Sequence, residues 1–455
     1  MKKALLVMVI IGVCCLSASA QTKRKLSVND YFRMQEISDP QLSPDRQWVA
    51  FSMYIHDAKK DDWNQDIYMV PFQGGDVVRV TSNEKDDSFP RWSPDNKYLG
   101  FLSKRKGRKQ VFLLPRSGGE AMQLTDFKGG VSAFSWSPDS KKLALVVNDP
   151  DPDAKDDEEK KDDDEKPKPV VVTRLQFLFD EYDFLKELYS QLYVFDLEKK
   201  TSQQLTTGPY DVGAPVWSGY DDVPEWSRDG SQILFISNGS ANPDANRNTD
   251  VFVVPAAGGE IKKLTTNEGT DEEAHWSPDG KFICYQAQSQ PDLMWYDTVE
   301  IAVVPATGGS PRFLTRELDR NGFQCQFSAD GKRVYFLLED RGTQRLASVS
   351  ITGSDLNKNV VGENVIASYD AGAGDAIAFL SSRSQLPNEI FAYSNGKSRQ
   401  VTSVHAPLLQ DVELGNVDRV QFKSKDGTPV EGFVVKPPQF NPSKKYPLLL
   451  WIHGG

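Results

Sequence analysis

A short phrase repeats along this chain and constrains its fold more than any other feature. Each copy has a large apolar residue, a serine, one further residue and an aspartate: Leu42–Asp45, Trp92–Asp95, Trp136–Asp139, Trp226–Asp229, Trp276–Asp279 and Phe327–Asp330. An alternating apolar segment follows each copy, as at 48–51 and 334–337. Proline presets a turn, aspartate bonds the local backbone, and a following glycine accepts a positive φ. The phrase therefore predicts a strand, a tight turn and a return strand.

A second phrase follows the first in each repeat. It consists of an apolar strand, a turn that usually holds Gly-Gly or Asn-Gly, and in its clear copies a closing threonine. The copies are Asp66–Thr81, Gln110–Thr125, Gln191–Thr206, Asp250–Thr265, Glu300–Thr315, Glu389–Thr402 and a weaker one at Arg345–Val361. This pattern predicts a second hairpin. Each repeat is thus expected to hold four antiparallel strands.

The period of the repeat indicates a β-propeller. In the regular intervals, successive first phrases start 50, 44, 50 and 51 residues apart, and four strands in a unit of this length are typical of propellers. Counting second phrases predicts an all-β, seven-bladed propeller over residues 42–411, after an N-terminal segment at 21–41. Six or eight blades stay open, because the seventh repeat lacks a clear first phrase. An open sandwich fits poorly, since sandwiches do not repeat their turn chemistry at a fixed period.

The one long interval, from the third to the fourth first phrase, holds a charged insert at 149–169. The insert has eleven acidic residues and five lysines, a net charge of -6 within a chain total of -11. Because it has few apolar side chains, we expect a solvated loop on blade three. The insert does not fit a calcium loop, since Ala154 replaces the turn glycine and Lys160 stands where a bidentate acid is needed. No metal site and no cofactor are predicted.

The segment 170–197 mixes aromatic and acidic residues, which is unusual for a simple blade strand. One interpretation is a long hairpin or short helix that packs on the propeller. The other is a ligand-facing element that offers Arg174, Asp180, Glu181 or Asp183 to a substrate. A carboxylate can hold a terminal ammonium by a charge-assisted hydrogen bond, and Glu181 is favoured over Asp180 for its reach. A pairing of these acids with Arg174 or Lys186 that only fixes the insertion stays an equal alternative.

The repeat phrases end before residue 412, and the remaining stretch has a different character. Residues 417–435 predict a hairpin around an Asp-Gly turn. The apolar run 446–452 is expected to be a strand buried on both faces, and it leads into His-Gly-Gly. This order is typical of the oxyanion loop of α/β-hydrolases, where glycines let backbone N–H groups approach the oxyanion. The stretch 412–455 is therefore predicted to be the start of a truncated α/β-hydrolase domain.

The other parts of a hydrolase site are not found in this sequence. It contains no Gly-x-Ser-x-Gly, and none of its four histidines has a defensible triad arrangement. A buried parallel strand also requires neighbouring strands. The expectation is an N-terminal portion of a longer protein, without the catalytic serine, aspartate and histidine and inactive by itself.

The first twenty residues have the features of a secretory signal peptide. Two lysines precede an apolar stretch of about 13 residues, too short to span a bilayer, and small residues at 17–20 form a cleavage site. A periplasmic or secreted protein is expected, with no later membrane span. The acidic net charge argues against nucleic-acid binding. Cys284 and Cys325 are the only later cysteines, and two buried thiols are favoured over one disulfide.

Taken together, these features resemble the prolyl oligopeptidase family of serine peptidases. The resemblance rests on the Trp-Ser-Pro-Asp phrases, the Gly-Gly turns, the Lys425–Thr428 turn and the stretch Tyr446–Gly455. Within the family the chain looks most like the acylaminoacyl-peptidase branch with its exported bacterial dipeptidyl peptidases, where an insertion similar to 173–195 occurs in blade three. TolB-type periplasmic propellers share the blade phrases, so the stretch 425–455 separates the two possibilities.

The resemblance implies a propeller joined to an α/β-hydrolase domain and hydrolysis of short peptides through an acyl-enzyme. The propeller would restrict entry to oligopeptides, the nucleophile and its partners would follow Gly455, and Gly455 or Gly454 would supply an oxyanion N–H. The alternative is a non-catalytic, TolB-like propeller that serves as a binding or scaffold module. Dipeptidyl against acylaminoacyl specificity and a homo-oligomeric state are left open by the sequence.

Overall fold

Strands make up almost all regular structure of the chain. The computed structural model describes residues 23–153, 169–179, 183–213, 222–358, 360–361, 364–372, 374 and 376–451. Within these residues the helical segments are short: the 3-10 turns Val28–Arg33, Pro243–Ala245, Pro291–Tyr296 and Arg316–Leu318, and the α-helix Ala406–Asp411. No described helix is long and apolar enough to cross a membrane. The predicted signal peptide at 1–20 lies outside the described residues.

Five four-stranded antiparallel sheets, A to E, follow one another along the chain. Sheet A consists of Glu36–Leu42, Trp48–Asp57, Asp62–Pro71 and Val78–Arg79. Sheet B consists of Asp87–Trp92, Tyr98–Ser103, Gln110–Pro115 and Met122–Gln123. Sheet C consists of Val131–Trp136, Lys142–Asn148, Ser190–Asp196 and Thr201–Gln204. Sheet D consists of Glu225–Trp226, Gln232–Ser237, Asp250–Pro255 and Lys262–Lys263. Sheet E consists of Asp271–Trp276, Phe282–Ala287, Glu300–Pro305 and Arg312–Phe313.

A seven-stranded sheet, F, completes the repeat region. Its first half, F1, consists of Gly322–Phe327, Arg333–Asp340 and Thr343–Ser350. Its second half, F2, consists of Val365–Ala371, Ile377–Arg383, Leu386–Ser394 and Lys397–Gln400. In the strand ladder, the halves are joined by one parallel pairing, of Gln344 with Val365. Three two-stranded ribbons lie outside these sheets: Arg24–Lys25 with Val412–Glu413, Leu178–Phe179 with Asp183–Phe184, and Val417–Lys423 with Pro429–Val435. The last of these is the predicted hairpin at 417–435.

The sheets form a closed ring, which is the arrangement of a β-propeller. Each sheet contacts the next through its first strand, and the first strand of sheet A contacts half F2. An apolar cluster of Ile37, Phe51, Val70, Leu380 and Ile390 fills this closing junction. The first strands are therefore innermost, around the axis of the ring.

The first phrase forms the same five-residue turn in all six copies. Each serine Oγ donates to the phrase aspartate at 2.7–2.8 Å. The same Oγ accepts the backbone N–H five residues later at 2.9–3.0 Å. The residue after the aspartate has a φ between 58 and 71°, which explains the glycines at 230, 280 and 331. The turn prediction is confirmed.

The tryptophan of the phrase connects neighbouring sheets, a role that the sequence did not reveal. The indole Nε1 of Trp92 donates to the carbonyl of Gln41 at 3.1 Å, and that of Trp136 donates to the carbonyl of Arg91 at 3.1 Å. Trp226 and Trp276 repeat the contact one and two sheets further on, at 3.3 and 3.4 Å. Each indole therefore bonds the sheet before its own.

The ring has two faces that differ in their connections. Since the sheets are antiparallel meanders, the turns after the first and third strands lie on one face, which we call the regular face. The connections after the second strands and between sheets lie on the other, the irregular face. There the second-to-third connections range from 341–342 in F1 to 149–189 in sheet C. The C-terminal hairpin also lies on the irregular face, because the Arg419 guanidinium donates to the Arg341 carbonyl and the Phe433 ring rests on Gly342.

Candidate functional site

Arg174, one of the predicted substrate-binding residues, lies on the irregular face between sheets C and D. Its Nε and Nη2 donate to the two carboxylate oxygens of Asp244 at 3.1 and 2.7 Å, and its Nη1 donates to the Lys186 carbonyl at 3.0 Å. Both paired side chains are 13% exposed. The pairing raises the pKa of Arg174 and lowers that of Asp244. This bidentate pair ties the 170–186 segment to the Pro243–Ala245 turn.

Lys186 is also occupied, by the start of the acidic insert. Its Nζ lies 2.7 Å from Asp151 Oδ1 and 3.2 Å from Asp153 Oδ2. Arg174 and Lys186 thus have carboxylate partners other than Asp180 and Glu181. These two predicted ligands lie outside the described residues, as does most of the insert.

A short hairpin lies within the segment 170–197. Leu178–Phe179 pairs with Asp183–Phe184, so the segment contains a short hairpin, as one of the two interpretations expected. Beside it, the Arg174 guanidinium lies 5.4 Å from the Tyr189 ring centroid. The sequence did not reveal Asp244, because it stands 70 residues from Arg174 in another repeat.

A ring of side chains surrounds the axis of the propeller near the regular face. They occupy the position just before each first phrase, together with the corresponding residue of F2, and all are partly exposed: Gln41, Arg91, Ser135, Glu225, His275, Gln326 and Asp370. Two ion pairs bridge adjacent sheets here. Arg91 Nη1 lies 2.8 Å from Asp39 Oδ2, and His275 Nδ1 lies 2.8 Å from Glu225 Oε2.

The electrostatics of this axial ring favour the charged form of His275 and disfavour the charged form of Asp370. Burial opposes a charge on His275, but the Glu225 carboxylate outweighs it and raises the pKa of His275 to about 10. Burial raises the pKa of Asp370 to about 6, although the Leu42 N–H donates to this carboxyl at 2.6 Å. The ion pair with Glu225 and the raised pKa favour a structural role for His275 between sheets D and E. Glu225 occupies the same repeat position as His275 one sheet earlier, which is the signal that could have found the pair.

Buried carboxyls lie at the opposite end of the innermost strand of sheet E. Burial raises the pKa of Asp271 to about 8 and that of Glu272 to about 7. Asp222 accepts the Glu273 N–H at 2.9 Å, and burial together with the neighbouring acids raises its pKa. Across the described ranges, no group of three or more His, Cys, Asp or Glu side chains is arranged to hold a metal ion.

A polar cleft opens on the irregular face beside the C-terminal hairpin. Its volume is about 340 Å³, and it is lined by residues 296–298, 319–321 and 339–341. The Arg320 Nε donates to Asp340 Oδ1 at 3.0 Å across its floor. Because Arg341 also holds the hairpin through Arg419, this cleft adjoins the C-terminal stretch.

The apolar run near the C-terminus differs from its predicted form. Residues 446–451 form no strand, and Leu448, Leu449 and Trp451 are 86, 87 and 90% exposed. The expected strand buried on both faces is thus not formed: Phe440 packs on Tyr446, but no described strand covers the residues that follow. The predicted oxyanion donors Gly454 and Gly455 lie outside the described residues. Cys284 and Cys325 are free and buried, as expected.

The chain matches the family model of the TolB beta propeller domain over residues 18–157 and 184–368. The unmatched part between them holds most of the acidic insert and its hairpin. The predicted β-propeller is confirmed by this match.

Two curated relatives align along nearly the whole chain. Dipeptidyl-peptidase 5 of Porphyromonas gingivalis is 24% identical over 98% of this chain and 66% of its own length. The peptidase YuxL of Bacillus subtilis is 26% identical over 95% of this chain and 67% of its own length. The chain thus spans about two thirds of the length of each relative.

Among solved structures, the acylaminoacyl peptidase of Pyrococcus horikoshii has a similar fold. Its TM-score is 0.68 at 19% identity, over 90% of this chain and 59% of that one. The relatives are peptidases, which agrees with the family inferred from the motifs. The chain therefore belongs to the family of TolB β-propeller domains, and its relatives confirm the resemblance to the prolyl oligopeptidase family.

Proposed function

We propose that the chain is the propeller and the opening of the catalytic domain of an exported serine exopeptidase that cleaves short peptides through an acyl-enzyme. The exposed apolar run 446–451 carries this proposal. Such a run followed by His-Gly-Gly needs the strands of a hydrolase sheet to cover it. The additional third in both relatives leaves room for such a domain.

The division of the chain follows from the same proposal. Half F1 and half F2, joined by one residue pair, count as two blades, which gives seven with sheets A to E. Residues 412–455 then begin the α/β-hydrolase domain on the irregular face. The contacts of Arg419 and Phe433 with Arg341 and Gly342 support this placement.

In the proposed mechanism, a backbone N–H of Gly454 or Gly455 stabilises the oxyanion of the tetrahedral intermediate. Ser, Asp and His of the triad come from residues after Gly455. The ring of sheets covers the site, so that only extended short peptides reach the nucleophile.

One of the two neighbouring acids, Glu181 in preference to Asp180, is proposed to hold the substrate's α-ammonium. The 170–186 segment projects from sheet C on the face that holds the C-terminal hairpin, and the Arg174–Asp244 pair fixes its base. Arg174 as a direct substrate contact is the weaker form of the proposal, since Asp244 already satisfies its guanidinium.

The test uses the longer protein that continues after Gly455 and the 455-residue chain. We expect the longer protein to hydrolyse dipeptidyl or acylaminoacyl chromogenic substrates, with inhibition by a serine-directed reagent, and the 455-residue chain to be inactive. Turnover by the 455-residue chain that the reagent abolishes would contradict the proposal that the catalytic triad comes from residues after Gly455. A reading frame that stops shortly after residue 455 would favour the TolB-like binding module.

The ammonium clamp has its own test in the longer protein. Glu181→Gln keeps the shape and removes the charge, so KM for free N-termini should rise by about tenfold or more, a loss of about 1.5–3 kcal/mol. Asp180→Asn is the matched variant. Unchanged kinetics for both would assign the hairpin a structural role only.

A further inference from the structure

A strongly basic turn lies on the irregular face of sheet B. The connection 104–109 has five cations in six residues, Lys104, Arg105, Lys106, Arg108 and Lys109. Arg105 is used within the fold, because its guanidinium donates to both oxygens of Asp87 and lies 5.3 Å from the Phe101 ring centroid. Lys104, Lys106 and Arg108 are exposed and form no ion pair with any described residue.

This basic turn lies beside the point where the acidic insert leaves sheet C. The Lys109 carbonyl accepts the Val131 N–H at 2.8 Å, and the Gly130 carbonyl accepts the Asn148 N–H at 3.1 Å. A Cβ on Gly130 would lie 3.3 Å from the Cβ of Arg108. Since the insert begins at residue 149, directly after Asn148, it leaves sheet C beside the backbone of the basic turn.

The beginning of the insert already engages cations. Burial opposes ionisation of Asp151, but the Lys186 ammonium and the Arg108 guanidinium lower the pKa of this carboxyl. Asp153 also lies within 3.2 Å of the Lys186 Nζ. The ion pairs of these acids are with Lys186, and Arg108 adds a favourable charge from the basic turn.

We propose that the basic turn 104–109 is the docking surface for the acidic insert 149–169 of the same chain. Their charges are complementary, with five cations in the turn and a net charge of -6 in the insert. A tethered segment has an effective concentration of about 1 mM or more at its own docking surface. The turn would therefore bind another acidic peptide only when the insert is displaced.

The physical character of this contact determines how it is tested. The insert has few apolar side chains, so charge carries the association, and single exposed ion pairs contribute little. A network of such pairs is screened when the Debye length falls from about 30 Å at 0.01 M salt to about 3 Å at 1 M. We therefore expect a salt-sensitive contact that hardly affects folding.

The first experiment measures binding of a fluorescein-labelled hexa-aspartate peptide at low salt. A chain that lacks 154–168 should bind it about tenfold more tightly than the full chain, because its own insert no longer competes. In the shortened chain, replacing Lys104, Lys106 and Arg108 by Gln should abolish binding. The matched replacement of Lys141, Lys332 and Lys358, which are exposed elsewhere, should leave it unchanged. Equal affinity of the full and shortened chains, or binding by neither, would overturn the proposal.

A second experiment needs no added ligand. Trypsin cleaves after the lysines of the insert, and the cleavage rate there should rise several-fold between low and high salt in the full chain. With Lys104, Lys106 and Arg108 replaced by Gln, cleavage should be fast at every salt concentration. Circular dichroism verifies that the variant is folded. A rate that depends equally on salt in both chains would contradict docking on this turn.

Discussion

The turns of the first phrase, on the regular face, and the irregular-face end of the innermost strand of sheet E affect their carboxylates in opposite ways. On the regular face, hydrogen bonds within the turn lower the pKa of Asp229 and Asp279 to about 2. Toward the irregular face, burial raises the pKa of Asp271 to about 8 and of Glu272 to about 7. The phrase turns thus stabilise the ionised form of their aspartates, whereas burial destabilises the ionised form of Asp271 and Glu272. Regular turns maintain the ring, and the irregular face has the features from which a site can be built.

The largest expected effect concerns pH. Only the native state keeps the Asp271 proton between about pH 4 and about pH 8, so the unfolded state binds fewer protons there. Stability should fall as pH rises through this window, by about 1.4 kcal/mol for each pH unit per group. Asp271→Asn should flatten the fall, as measured by urea unfolding at pH 5, 6, 7 and 8.

Asp279→Asn is the control from the regular face. Because the folded pKa of Asp279 is depressed, its contribution is present above about pH 4 and is lost as pH falls toward 2. The variant should change the level of stability but not its slope between pH 5 and 8. Identical slopes for the parent chain and Asp271→Asn would contradict the assignment.

The same contrast explains which contacts could be predicted from the sequence and which could not. The first phrase contains all partners of its turn, since Ser277 and Asp279 are two residues apart, so local chemistry sufficed. The pairs Arg174–Asp244 and Glu225–His275 join different repeats, and only the closed ring brings them together. The pKa of Asp271 likewise depends on desolvation by distant residues.

The C-terminal run shows the limit most plainly. Its composition predicts a buried strand, yet Leu449 and Trp451 are almost fully exposed. An apolar sequence indicates that a segment tends to be buried. Burial itself requires neighbouring strands, which lie outside this segment. The acidic pair Asp180 and Glu181 stays a prediction.

The next largest effect is expected at the base of the sheet C insertion. Asp244→Ala leaves the guanidinium of Arg174, which is only 13% exposed, without its bidentate partner. Removing one partner of such a buried pair costs about 3 kcal/mol. We expect faster hydrogen exchange in 170–186 and unchanged exchange in the sheets.

A double-mutant cycle checks whether the pair itself is responsible. Combining Arg174→Met with Asp244→Ala removes the unpaired charge, so the double variant should be more stable than Asp244→Ala alone. Additive losses would show that the two side chains act independently.

A smaller effect is expected from the tryptophans that connect the sheets. Trp136→Phe removes one hydrogen bond between sheets B and C, which contributes about 1 kcal/mol. The same change at Trp276, where the contact is 3.4 Å long, should cost less. Thermal unfolding of both variants measures the difference. Equal losses would mean that ring size, rather than the indole N–H, determines the effect.

The smallest effect is expected from deleting residues 154–168. The deletion keeps Asp151 and Asp153, so the ion pairs with Lys186 remain. The removed segment has almost no apolar side chains to bury, and a shorter loop changes closure entropy only slightly. Melting should therefore shift by no more than a few degrees at any salt concentration. A larger drop at low salt alone would show that docking on the basic turn stabilises the fold. A drop of the same size at high salt would instead mean that the insert packs through contacts other than charge.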